Sequence, residues 1–98
     1  MRVLRRRPGE KFEVVDIPNT LKALQEQVGG PIEAVAITNR TTLIVNENGK
    51  LEGLPYNCDI CGHRLVGTVL AVWVDGEDFV DNRSDPWFME YLCKEAEV

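Results

Sequence analysis

The residues best equipped for chemistry lie in one stretch, Cys58-Asp59-Ile60-Cys61-Gly62-His63. A Cys-x-x-Cys pair is the usual knuckle for zinc, because two intervening residues let both thiolates face one ion. His63 is a candidate third ligand and Cys93 a fourth, which would close a tetrahedral structural site. A second knuckle is missing, however, and Asp59 is a harder ligand than structural zinc prefers. Cys58, Cys61 and His63 are therefore metal candidates against a plainer expectation, a loop holding two small, partly buried thiols. A thioredoxin-like pair would open a helix inside a βαβ unit, a poorer fit.

The catalytic inventory is thin, and no residue is assigned a catalytic role. One histidine cannot build a triad, and a Cys–His dyad on Cys58 or Cys61 needs a cleft and an oxyanion site. Asp75, Glu77, Asp78 and Asp81 supply paired carboxylates, but around a turn, where a solvated hairpin tip is the simpler expectation. No phosphate-binding Gly-x-x-x-x-Gly-Lys, no Gly-x-Gly-x-x-Gly and no calcium loop occurs.

Asn46, Tyr56, Asn57 and Arg64 are the candidates for ligand binding. Asparagine amides satisfy a polar ligand edge, Tyr56 offers a stacking face, and Arg64 can grip an anion bidentately. The two asparagines serve equally well to satisfy loop backbone as Asx turns. Trp87, Phe88 and Tyr91 are candidates for an interface, since Trp and Tyr are enriched at binding hot spots. Trp73 is expected in the core.

The elements that must position these groups follow from period and punctuation. Residues 1–7 and 11–17 read as strands, separated by the turn residues Pro8-Gly9. Leu21, Leu24 and Val28 form one helical stripe behind an N-cap at Asn19, with Gly29 as the left-handed stop. Residues 32–38 and 41–46 read as a hairpin around Asn39-Arg40. Asn48-Gly49 is a strong turn signal, beyond which 50–54 extends the meander. Residues 54–65 show no period and read as loop. Residues 66–74 form the central strand, Asp75-Gly76 turns it, and 78–81 returns briefly. Ser84 or Asp85 caps a last helix over about 85–95, with Pro86 at its first position. The expected architecture is a single α+β domain over 1–98, with a mixed or antiparallel sheet of four to five strands and two helices.

Ninety-eight residues with 44% hydrophobic and 28% charged content make one folded domain, not a disordered chain. The start is basic with no apolar run behind it, and no stretch approaches the roughly 18 apolar residues of a membrane span. Three cysteines do not suit a disulfide framework. Cytoplasm is the expected compartment. The net charge of −5 argues against nonspecific nucleic-acid binding.

Three blocks of the chain resemble a small phage and mobile-element family known only as a domain of unknown function. They are Asn19-Thr20-Leu21 through Leu24-Gln25, Val28-Gly29-Gly30 and Ile32-Glu33; Asn46-Glu47, Gly49-Lys50, Gly53-Leu54-Pro55 and Asn57; and Val66-Gly67-Thr68. The resemblance covers about residues 2–81 and leaves the last helix outside. It implies a short cytoplasmic protein without an established catalytic set, and no cysteine pair or histidine at the position of Cys58, Cys61 and His63. The expectation for function is a non-enzymatic binding protein, homodimeric, without a cofactor, taking a host protein or a nucleotide-like small molecule, in a counter-defence role. The alternatives are a zinc-stabilised interaction domain and a small hydrolase or isomerase.

Overall fold

The fold is built around β-runs buried on both sides. The computed structural model describes residues 1–94. Within them the first sheet contains β1 (Arg2–Arg6), β2 (Glu13–Asp16), β3 (Ile32–Ala36), β4 (Thr41–Asn46), β7 (Val69–Asp75) and β8 (Asp78–Val80). Its order is β2-β1-β7-β4-β3, with β8 also paired to β7. The second sheet, in the order β6-β5-β9, consists of β5 (Tyr56–Ile60), β6 (His63–Val66) and β9 (Cys93–Lys94). All these pairings are antiparallel. The helices are α1 (Leu21–Val28) and α2 (Pro86–Leu92).

Period-two alternation sends successive residues of β1, β4 and β7 to opposite faces. Val3, Ile44, Leu70 and Val72 meet Leu24 and Val28 of α1 on one side. Leu4, Leu43, Val45, Val69 and Ala71 meet Cys58, Ile60, Leu65 and Met89 on the other. The result is three layers: α1, the large sheet, and the small sheet with α2. Both faces of β4 are covered, which is why all six of its residues are buried.

The α+β class holds, with β7 central as expected. The strand count is higher than the expected four to five: among the described residues the large sheet alone has six, and a second sheet of three arises where residues 56–66 pair as the hairpin β5–β6, a stretch expected as loop, with β9 beside it. The alternation there is broken by a bulge between Tyr56 and Cys58, so Asn57 and Cys58 are both buried and no period shows. The hairpin turns on Cys61 and Gly62, with φ of 49° and 82°, the type I′ pattern.

Other boundaries shift for local reasons. Thr20, not Asn19, caps α1, its hydroxyl accepting from the Ala23 N–H at 3.1 Å. Neither Asn48 nor Gly49 has a positive φ, and residues 47–53 form successive turns instead of a meander. Gly49 is needed for close approach: a Cβ there would meet Val66 at 3.0 Å and the Asn46 carbonyl at 3.2 Å. Helix α2 begins on Asp85 as expected but stops at Leu92, where the chain turns extended as β9; residue 95, its expected end, lies outside the described residues. Trp73 is half-buried and not core, with the Arg40 guanidinium 4.7 Å over its ring. No described helix is long and apolar enough to cross a membrane.

Candidate functional site

The small sheet and α2 carry nearly all the candidate residues and separate them into three environments. Cys58 faces the core beside Ile60 and is fully buried. Burial pushes its thiol well above the usual thiol range, reinforced by a hydrogen bond with Cys93. Such a thiol is protonated and inert at neutral pH. Cys61 sits exposed on the turn, and His63 is exposed at the start of β6. The Cys-x-x-Cys spacing thus straddles a strand end, one sulfur pointing in and the other out. Among the described residues no group of three or more His, Cys, Asp or Glu side chains gathers as a metal-holding set.

Asn57 lies inside the protein. Its Nδ2 donates to the carbonyls of Arg6 and Gly67 at 2.7 and 2.8 Å. Its Oδ1 and carbonyl both accept from Arg6 Nη1, at 2.6 and 3.0 Å. Asn46 is buried too: Nδ2 donates to the Val28 carbonyl at 3.3 Å and to Glu52 at 3.0 Å, while Oδ1 accepts from the Asn48 N–H at 2.8 Å. The polar atoms of both amides are engaged within the chain. Tyr56 and Arg64 remain at the surface as a pair, the guanidinium 4.3 Å over the ring. The carboxylates Asp75, Glu77 and Asp78 ring the exposed β7–β8 turn, whereas Asp81 accepts from the Arg2 N–H at 2.9 Å.

Arg6 and Glu90 are the functional-looking residues that sequence reasoning passed over. Arg6 is almost fully buried between the sheets, and its Nε donates to Glu90 Oε1 at 3.2 Å. Glu90 Oε2 accepts from the Phe12 N–H at 2.8 Å. One carboxylate therefore ties α2 to the large sheet while Met89 beside it fills the core. The signal was present, since Leu4 and Arg6 are two apart on one strand and share the inward face.

With its inner side fixed, α2 turns its aromatic residues outward. Trp87 is 70% exposed, Tyr91 72% and Phe88 44%. The Trp87 and Tyr91 rings stack, centroids 5.8 Å apart and 27° between planes. A second feature is a cleft of about 200 Å³ between β3 and β6, with His63 and Arg64 on its rim. A broader depression of about 610 Å³ lies at the far end of β7, around Arg40, Trp73 and Phe79.

The family described as Domain of unknown function (DUF3846) matches residues 1–92. The chain belongs to that family. Family membership extends across α2, beyond the 2–81 that the sequence resemblance reached. No curated protein and no solved structure matches the chain.

Proposed function

We propose that this member of the family is a non-catalytic binding protein that docks another protein on the outer face of α2. The observation that carries the reading is the exposed Trp87–Tyr91 stack with Phe88 beside it. Two large rings one helical turn apart offer amphipathic contact area at low entropic cost, as at binding hot spots. The Glu90 clamp and the buried Met89 hold the helix that presents them, so the face is pre-organised. The placement of the reactive groups agrees with binding: the Cys58 thiol is enclosed and raised, while Cys61 and His63 stand apart from it in solvent. A protein partner also fits better than a nucleotide at the sequence candidates, because ligand pockets run to about 300–1,000 Å³. The cleft that Asn46 and Arg64 line is smaller. With the phage or mobile-element origin that the resemblance implies, the partner is a host protein, and the binding blunts a host defence.

The test replaces Trp87, Tyr91 or, as a control, the exposed Leu21 of α1 with a photo-crosslinking phenylalanine and irradiates each protein in bacterial lysate. One discrete heavier adduct from positions 87 and 91, absent from 21, is the expected result. An adduct of twice the chain mass makes the face a self-association surface instead. Turnover of a nucleotide panel, abolished by a point substitution, contradicts the reading altogether.

A further inference from the structure

The cleft between β3 and β6 lies where the two sheets expose their edges together. Strand β3 is the last of the large sheet and β6 the last of the small one, and no described strand pairs with either outer edge. Each therefore presents a row of backbone N–H and C=O groups available to an added strand. The register of β3 on β4 is regular from Ile32 to Ala36, without the bulge that usually blunts such an edge. Alternation turns Glu33 and Val35 into the cleft, and Ala34 and Ala36, both exposed, to the opposite side of the sheet.

Between these edges the floor is apolar: Val45 and Leu65 are buried, and Val35 and Val66 are half-buried. The rim carries charges of both signs, Glu33 and Glu47 against Lys50 and Arg64. Leu51 overhangs it at 90% exposure, the most exposed large apolar side chain among the described residues. Size decides what fits. A volume of about 200 Å³ is close to the roughly 150 Å³ apolar cavity that holds a benzene ring, and below what a nucleotide needs.

We infer that this cleft binds an extended peptide segment of a partner protein. The segment adds as a strand to β3 or β6 and inserts one aromatic or branched aliphatic side chain between Leu51 and the valine floor. The rim charges of both signs suit the polar residues that alternate with that anchor. This site stands on the far side of the small sheet from β9 and α2, and it does not depend on the aromatic face.

A display library of random heptapeptides selected on the intact protein, followed by amide-resolved NMR titration of the enriched peptides, tests the inference. Enriched sequences are expected to share one large apolar residue flanked by strand-forming residues and to lack proline beside it. Their saturable shifts should fall on residues 32–36, 51 and 63–66, with slowed amide exchange along one edge. Leu51→Asp, fully at the surface and so neutral for folding, should weaken binding at least tenfold, and Val35→Arg should abolish it. No enrichment, shifts mapping to α2 or the Trp73 depression, or undiminished binding by Leu51→Asp each overturns it. None of those outcomes bears on crosslinking through Trp87.

Discussion

Arg6 and Asn57 satisfy one another across the two sheets: the guanidinium donates to both oxygens of Asn57, whose amide donates back to the Arg6 carbonyl at 2.7 Å. Asn57→Ala takes the Oδ1 acceptor from a buried guanidinium, which keeps the backbone carbonyl of residue 57, and takes the Nδ2 donor from the carbonyls of Arg6 and Gly67. The Glu90 carboxylate still pairs with Arg6, so the cost is that of buried polar groups left short of a partner, about 1–3 kcal/mol. Urea titration of Asn57→Ala should show a loss toward that range. A loss under about 0.5 kcal/mol, the surface norm, would place Asn57 outside the structural network.

Cys58 gives stability a pH dependence of known sign. Its folded-state thiol is raised by burial and by Cys93, whereas the unfolded thiol titrates near about 8.5. Below that pH both states are protonated and the contribution is intact. Above it only the unfolded chain releases the proton, so stability falls by up to about 1.4 kcal/mol per pH unit. The difference between the parent and Cys58→Val, measured in urea at pH 7 and pH 10, isolates this slope from other titrating groups. Iodoacetamide on the native protein should modify Cys61 first and reach Cys58 only on unfolding.

The turn residue Cys61 occupies the left-handed region at φ 49°, which costs a non-glycine residue about 1–2 kcal/mol and asparagine less. Cys61→Asn should therefore raise the thermal midpoint, by a shift corresponding to about 0.5–1 kcal/mol. Cys61→Val should lower it. An unchanged midpoint in both variants would mean that the turn conformation is not under strain.

How far these features were legible beforehand depends on whether they obeyed a period. Leu4, Ile44 and Leu70 sit in clean strand patterns, and Leu24 with Val28 in a helical one, so the large sheet and α1 could be read directly. The β5–β6 hairpin could not, because its bulge buries Asn57 and Cys58 consecutively and its turn is Cys-Gly instead of Asn-Gly. That single irregularity made the Cys-x-x-Cys pair look like a loop knuckle and Asn57 like a free ligand group. Arg6 was hidden by composition, as one of several basic residues near the start of the chain. The outer aromatic stripe of α2 was visible, but Trp87 and Tyr91 share it with Phe88, and only the buried Met89 shows which side faces in.

The central claim, that α2 works by holding a partner, is tested most directly by the affinity of the partner captured at Trp87. Titration calorimetry should show Trp87→Ala weakening binding by about 2 kcal/mol or more, as a hot-spot truncation does, with the urea midpoint unchanged. Equal affinity of Trp87→Ala and the parent protein for that partner would contradict the account.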